Sequence, residues 1–435
     1  MKHKTKKVCI AFLPVVLIFM LSACTVFDVF SVDSLIRSPK LTGDYAEVQK
    51  AFEEQVGKDI SLINPFLGDF RSAYVLYDYN KDGCEETVVF YKKKEAPDEV
   101  RMHILENKNG AWRSVCDIAG NGSEVNKIEF INLDKDPELE LAVTWNLSDS
   151  KRTKTLTLYK IFDDQTESDN RIIQMAVVQL TDYLVLDIDY DGQNEVFYTS
   201  MSISGDISCF SASLFRIDAE SYYRVPLSEI NIARNIDQIL GFKTDMKDAL
   251  YTVYIDCVAS DGRYFTELLC YDYGSNSLFR PVDKNGALLS SFTFRSEPLL
   301  CSDINGDYMI EIPEQTEFSG SYYQTADDMN GGTIYVTSYR QLFGNELRNI
   351  ASYYRNVYQK YSIKIDSFID SVYIVYNAES GVTEFRLRNC ETENDLLFSV
   401  LSGRDDISGF YAAVTPLGDQ MSFSQEDIIK LIDPF

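Results

Sequence analysis

The chain has 435 residues, and its 67 Asp and Glu outnumber its 41 Lys and Arg, which gives a formal net charge of −26. A net charge this negative opposes binding to nucleic acid or anionic lipid by surface charge, because both rely on cationic side chains facing phosphate. The length suffices for two or three domains. The 28 Tyr and 26 Phe favour β-strands, the elements in which aromatic side chains are enriched.

Residues 1–23 have the features of a lipoprotein signal peptide. Four lysines precede an apolar stretch, 8–20, that is too short to span a bilayer comfortably. The stretch ends in Leu21, Ser22, Ala23 and Cys24, which resembles the lipobox of bacterial lipoproteins. That resemblance implies cleavage before Cys24 and attachment of acyl chains such as palmitate, which would anchor the exported protein at the outer face of the cell membrane. An uncleaved anchor or an ordinary secretory signal is the alternative. Loss of the four lysines leaves the mature chain near a charge of −30.

Residues 24–62 are predicted to form a tether and an N-terminal helix. The helix is expected over Asp44–Val56, because Tyr45, Val48 and Phe52 fall on one helical face. Gly57 follows at the position where glycine commonly ends a helix.

A nine-residue acidic loop then recurs four times, with oxygen-bearing side chains at positions 1, 3, 5 and 9. The first three loops begin 54 and 55 residues apart, and the fourth begins 116 residues further on. The first loop (78–86) has Asp78, Asn80, Asp82 and Glu86; the second (132–140) has Asn132, Asp134, Asp136 and Glu140; the third (187–195) has Asp187, Asp189, Asp191 and Glu195; the fourth (303–311), the weakest copy, has Asp303, Asn305, Asp307 and Glu311. A period of this size indicates stacked β units.

The chemistry of these loops favours Ca²⁺, which prefers several oxygen ligands that converge on a tight turn. Without a cation, carboxylates about 5 Å apart repel each other by roughly 3 kcal/mol at an effective dielectric near 20. Pro137 and Tyr308 stand where the first and third loops have Gly at position 6, which weakens the second and fourth copies. A helix–loop–helix calcium site is disfavoured, because position 12 of the first three copies is Val89, Val143 and Tyr198 rather than an acid. The alternative is that the acids merely solvate turns between strands.

The pattern Asp-x-Asp/Asn-x-Asp-Gly-x-x-Glu before a strand resembles the FG-GAP/VCBS repeat of integrin-type β-propellers. The resemblance covers about 250 residues and implies four-stranded blades with one structural calcium loop each. The Phe-Gly and Gly-Ala-Pro signatures of that family are absent. An incomplete propeller, a propeller completed by the C-terminal domain and an open β array therefore all remain possible. The layout also resembles surface lipoproteins of low-GC Gram-positive bacteria, which implies no particular function.

The predicted fold class is mainly β, with a β-propeller-like repeat domain of about five four-stranded units over 63–320. One degenerate unit fills the long gap between the third and fourth loops. It begins near Asp245 and has the strands Leu250–Ile255 and Thr266–Tyr271, but no acidic loop.

A small C-terminal α+β domain is predicted over 333–435, after a boundary loop at 319–332. A helix is expected over Tyr339–Tyr358, because apolar residues recur at helical spacing. Strands are expected at 362–366, 372–377, 383–387, 396–401 and 412–417. Ser424 begins a capping motif before a final helix.

Catalytic groups are scarce in this sequence. His103 is the one histidine beyond the leader, and it lies in an alternating strand pattern without a nearby nucleophile motif. Neither a phosphate-binding glycine loop nor a zinc-protease motif occurs. Beyond Cys9 and Cys24 there are seven cysteines, an odd number without a CxxC pair, so most are expected to be small buried side chains. A Cys257–Cys270 bridge across a hairpin is the alternative for these two residues.

The sequence therefore predicts a non-enzymatic, membrane-anchored lipoprotein. Its calcium-supported β repeats would form a binding module for a protein or glycan partner. Two alternatives remain: a carbohydrate-active enzyme that uses paired carboxylates on a propeller scaffold, and a structural component of the cell envelope.

Overall fold

A computed structural model describes residues 44–148, 150–162, 171–204, 207–232, 236–247, 250–324, 332–388, 395–401, 411–414 and 430–434. This part of the chain is mainly β, with one α-helix, as the composition predicts. No helix in the described ranges has the length and apolar character needed to cross a membrane. The leader, Cys24, Cys390 and the helix expected after Ser424 lie outside the described residues.

The single described helix, α1, spans Asp44–Val56, with the bounds that the sequence predicts. Its buried face carries Val48 and Phe52, which pack on Tyr74 and Tyr91 of the first sheet. The ring of Phe52 meets Tyr91 edge-on, with centroids 5.2 Å apart. Gly57 adopts φ 83° and donates its N–H to the carbonyl of Glu53, which ends the helix.

Four antiparallel sheets follow in chain order, each built from consecutive strands. The first contains β1 (Ile60–Leu62), β2 (Tyr74–Tyr77), β3 (Glu86–Lys93), β4 (Ala96–Lys108) and β5 (Ala111–Ala119). The second contains β6 (Glu124–Ile131), β7 (Glu140–Leu147), β8 (Ser150–Ile161) and β9 (Ile172–Leu180). The third contains β10 (Asp182–Leu186), β11 (Glu195–Ser204), β12 (Ile207–Ile217) and β13 (Arg224–Asn231). The fourth contains β14 (Ile236–Lys247), β15 (Leu250–Ala259), β16 (Tyr264–Asp272) and β17 (Ser277–Phe279).

Successive sheets share hydrophobic cores. Trp145 of the second sheet packs in one cluster with Phe90 of the first, and Phe215 of the third lies in another with Leu158 of the second. A further cluster joins the third and fourth sheets, and another joins the fourth sheet to the strand that follows the fourth loop. The apolar faces of the strands are therefore buried between neighbouring sheets, as stacked units require.

The fourth sheet contains the two strands predicted for the degenerate unit, but it begins at Ile236, before the expected start near Asp245. Asp245 lies in β14 and turns its carboxylate toward the fourth loop, where it accepts a hydrogen bond from the N–H of Ile310 at 2.8 Å. The unit thus keeps a structural link to the loop that follows it.

The last sheet has nine strands. It contains β18 (Glu311–Gln324), β19 (Thr333–Phe343), β20 (Glu346–Asn356), β21 (Tyr361–Lys364), β22 (Val372–Asn377), β23 (Val382–Leu387), β24 (Leu396–Leu401), β25 (Tyr411–Val414) and β26 (Ile432–Pro434). The β18–β22 pair is parallel and the other pairs are antiparallel. Strand β18 extends through 319–324, where the boundary loop was expected, and 325–331 lie outside the described residues. Short 3₁₀ turns occur at Leu289–Phe292 and Ile369–Ser371.

The helix predicted over Tyr339–Tyr358 is wrong, because these residues form the β19–β20 hairpin. The turn is Gly344-Asn345, and Gly344 has φ 60°, a conformation that favours glycine. Aromatic and β-branched residues make up most of β19 and suit the pleated surface. The α+β character expected of this region is therefore not found in its described residues, which form strands and one 3₁₀ turn.

The Cys257–Cys270 bridge does not form. The two residues lie on adjacent strands but face other partners, Phe265 and Thr252 respectively. All six described cysteines are free, and three of them, including both of these, are buried.

Candidate cation sites in the acidic loops

The first three acidic loops occupy the same place in their sheets. Each joins the first pair of consecutive hydrogen-bonded strands, β2–β3, β6–β7 and β10–β11. The fourth loop leads into β18 and is closed by an isolated bridge between Ser302 and Glu311. The sequence repeat is therefore a structural repeat.

Backbone hydrogen bonds shape each turn. In the third loop the carboxylate of Asp187 accepts the N–H of Asp191 at 3.1 Å and that of Gly192 at 3.0 Å. Asp78 and Asp303 cap the first and fourth loops in the same way. Position 6 has positive φ in all three of these loops, and in the fourth it is taken by Tyr308 at 67°. The Tyr in place of Gly strains the fourth loop without altering its capping pattern.

The glutamate at position 9 is buried in every loop and begins the strand that follows. One of its oxygens accepts the N–H of position 2: Leu133 in the second loop at 2.6 Å, Ile188 in the third at 3.0 Å and Ile304 in the fourth at 2.9 Å. Its second oxygen faces the other acids of the loop. The partner of that second oxygen distinguishes the four copies.

In the third loop, oxygens of Asp187, Asp189 and Glu195 lie within 4.8 Å of one another. Glu195 is 0% exposed, and its Oε1 has no hydrogen-bond partner among the described residues. Burial above all, and then the charges of Asp189 and Asp191, raise the pKa of Glu195 to about 7 against the opposing hydrogen bond from Ile188. A buried acceptor that faces two carboxylates needs a cation or a proton.

The first loop shares a buried position-9 glutamate with the third, but its acids are not gathered within 4.8 Å as those of the second and third loops are. Glu86 is 1% exposed, and its Oε2 has no hydrogen-bond partner in the described part of the chain. Burial and then the charge of Asp82 raise the pKa of Glu86 to about 8. Asn80 donates to Oε1 of Glu86 at 3.2 Å, so its amide nitrogen faces inward in this rotamer. Its amide oxygen accepts the N–H of Asp82 at 3.0 Å, so both ends of this amide are hydrogen-bonded within the loop.

The second loop holds a cation from the chain itself. Oxygens of Asp134, Asp136 and Glu140 gather within 4.8 Å, and the ammonium group of Lys160 lies among them. The predicted ligand Asn132 is turned to the backbone, where its Oδ1 accepts the N–H of Lys135 at 3.1 Å.

The fourth loop is closed by an amide. Gln341 of β19 donates to Oε1 of Glu311 at 2.9 Å and to Oδ2 of Asp307 at 3.2 Å. Lys247 in turn donates to the amide oxygen of Gln341 at 2.9 Å. Oε1 of the position-9 glutamate thus lacks a partner in the third loop (Glu195) and is hydrogen-bonded in the fourth (Glu311). Sequence reasoning identified neither Gln341 nor Lys160, since both lie on neighbouring strands and outside the repeat pattern.

Consecutive loops also contact each other. The N–H of Leu139 in the second loop donates to the carbonyl of Tyr79 in the first at 2.8 Å. Gln193 in the third loop donates its amide to the carbonyl of Leu133 in the second at 2.6 Å. The first three loops therefore contact one another in chain order.

His103 lies away from these loops and is 2% exposed. Its ring meets Phe52 edge-on at 5.5 Å, and burial lowers its pKa. Neither ring nitrogen has a hydrogen-bond partner among the described residues. Its surroundings are those of a packed core residue.

No known family model matches this chain, and a comparison with curated proteins finds no match either.

Proposed function

We propose that this protein is an exported, lipid-anchored surface protein whose β repeats bind Ca²⁺ at the first and third loops and support a binding surface for a protein or glycan. The observation that carries the cation role is the buried, unpartnered Oε1 of Glu195 beside Asp187 and Asp189. The sheets, stacked in chain order with shared cores, are proposed to form a propeller-like array.

Calcium suits this donor set, which consists of carboxylate, amide and backbone oxygens in an irregular turn. At millimolar Ca²⁺ and the weak affinities of extracellular modules, each filled site would stabilise the fold by about 1 kcal/mol. Because the loops contact one another, a filled loop would also order its neighbour. The cation role is therefore structural.

A tyrosine-lined cleft in the nine-stranded sheet is the surface best suited to a partner. Tyr358 is 70% exposed and stacks on Tyr376, while Tyr335 across the cleft is 47% exposed. Glu297 also lines this volume of about 210 Å³, where its carboxylate pairs with Arg355. Exposed aromatic side chains beside hydrogen-bonding groups are typical of binding surfaces, because they give large contact areas at low entropic cost.

The binding role can be tested by passing the purified protein over immobilised cell-envelope glycans and envelope proteins in the presence of Ca²⁺. We expect retention without change to the immobilised material, and weaker retention of a Tyr335→Ala, Tyr358→Ala variant. Tyr223→Ala, an equally exposed tyrosine in the third sheet, is the matched control. Release of soluble sugar products would favour the enzyme alternative, and absence of retention would oppose the binding role.

The anchor can be tested separately. We expect Cys24→Ala to move the protein from the membrane fraction to the medium, because the acylated cysteine is the proposed attachment point. Cys84→Ala, which alters an exposed cysteine, is the control and should leave the protein in the membrane fraction. Equal membrane retention of both variants would refute lipid anchoring through Cys24.

A further inference from the structure

One position differs systematically between the four acidic loops. It is the residue that faces the position-9 glutamate from the neighbouring strand. In the fourth loop, Glu311 pairs directly with Gln341. Continuing the strand register by one step places Glu106, Lys160 and Arg216 opposite the glutamates of the first, second and third loops, respectively.

In the second loop this residue reaches the centre of the cluster. Nζ of Lys160 lies 2.5 Å from Oδ2 of Asp136, 2.7 Å from Oε1 of Glu140 and 3.0 Å from Oδ2 of Asp134. The first two contacts are hydrogen bonds, and the third is an ion pair. A fourth acid, Glu138, lies 4.0 Å away. Lys160 is 2% exposed, so its charge depends on these acids. The ammonium group occupies the place that a bound ion would need.

The first and third loops receive no such group. Glu106 carries the same sign of charge as Glu86, and it is held by paired hydrogen bonds from Arg171 at 2.9 and 2.8 Å. Arg216 is half-buried, and no ion pair within the described ranges joins it to an acid of the third loop. Lys135 of the second loop pairs with Asp191 at 3.1 Å, but Asp191 is not one of the three acids that gather in the third loop. The inward oxygen of Glu195, Oε1, accordingly remains without a partner in the described residues. In the first loop Asn80 donates to Oε1 of Glu86, and Oε2 of Glu86 has no partner among them.

We propose that the ammonium group of Lys160 permanently replaces the divalent cation in the second repeat, so that the first and third loops bind metal while the second does not. The residue opposite the position-9 glutamate then determines the metal content of each repeat. A lysine or a glutamine fills the site from within the protein, whereas a residue that does not reach the loop leaves it open. The inference rests on the cation role proposed above for the first and third loops.

The test is Lys160→Met in the full-length protein, which keeps the length of the side chain and removes its charge. Bound Ca²⁺ is counted by isothermal titration and by elemental analysis after gel filtration. We expect the variant to bind one more Ca²⁺ than the parent and to depend more strongly on Ca²⁺ for its melting temperature. Lys154→Met, on the same strand but half-exposed, is the matched control and should bind as the parent does. An unchanged count in Lys160→Met would overturn the proposal.

A second measurement needs no variant and covers the case in which Lys160→Met does not fold. Hydrogen exchange of the unaltered protein is compared with Ca²⁺ and with chelator. We expect chelator to speed exchange at 78–86 and 187–195 and to leave 132–140 protected, whereas a response of 132–140 to chelator would overturn the proposal. A parent that binds no Ca²⁺ refutes the cation role of the first and third loops, and the difference between Lys160→Met and the parent still decides the role of Lys160.

Discussion

Replacement of Glu195 by glutamine distinguishes two hypotheses for the third loop: a metal site, or a turn whose acids are merely solvated. The substitution keeps the shape of the side chain, and the amide oxygen can still accept the N–H of Ile188. Its nitrogen would face Asp187 and Asp189 as a donor, much as the amide of Gln341 faces the acids of the fourth loop. The loop would lose a buried negative charge and gain hydrogen bonds.

The expected magnitude follows from the spacing. Charges at the 4.8 Å limit that contains the three acids repel each other by about 3 kcal/mol per pair at an effective dielectric near 20. Asp187 and Asp189 are half-buried, so water screens part of this repulsion. We therefore expect Glu195→Gln to raise the free energy of unfolding by about 1–3 kcal/mol in chelator. This corresponds to an increase of a few degrees in melting temperature.

Addition of Ca²⁺ should stabilise the parent more than it stabilises Glu195→Gln. The parent should gain stability as Ca²⁺ fills its first and third loops. Glu195→Gln should lose the part of that gain that belongs to the third loop, because the amide supplies no charge to the ion.

The assay is thermal unfolding of parent and variant in chelator and in millimolar Ca²⁺. Glu229→Gln, an exposed glutamate of β13 in the same sheet, controls for the change in net charge. A variant that is no more stable than the parent in chelator and keeps the full calcium gain would refute the reasoning. A variant that is more stable in chelator, beside a parent indifferent to Ca²⁺, would indicate crowded acids without a metal.

Three further predictions concern the cores. Trp145→Ala removes a fully buried indole between the first two sheets and should lower the free energy of unfolding by about 3–5 kcal/mol. Trp112 is half-exposed, so Trp112→Ala should lower it by less. Equal losses for the two variants in chemical denaturation would contradict the packing. Burial lowers the pKa of His103 below its usual 6.5, so the folded protein should lose stability as pH falls below that value, by at most about 1.4 kcal/mol per pH unit. The pH slope of His103→Phe should be shallower, and identical slopes would argue against a neutral buried imidazole. Arg295→Met should lower the free energy of unfolding by about 3–5 kcal/mol, because it leaves the buried carboxylate of Asp256 without its ion-pair partner. Adding Asp256→Asn to that variant should recover part of the loss. A double variant as unstable as the single one would exclude that pairing.

Local chemistry made much of this fold predictable. Both bounds of the helix Asp44–Val56 are predicted correctly, because the signals for it, the apolar spacing and Gly57, are local in the sequence. The strands β22 and β24 were also predicted with their observed bounds. The hairpin at 339–358 was missed, because alternation across a tight turn placed apolar residues at helical spacing. The dipeptide Gly344-Asn345 was the signal that could have corrected it.

The sequence by itself determined where the acidic loops stand and which of their side chains could hold a cation, because those residues lie within nine positions of one another and the turn that gathers them is local. Only the tertiary structure decided which loops are left without a partner for their buried glutamate. Lys160 lies 20 residues beyond Glu140 and Gln341 lies 30 beyond Glu311, and each reaches its loop through strand register. The effect of a partner side chain on the loop acids depends on its distance from them in space, and the pairing of strands sets that distance.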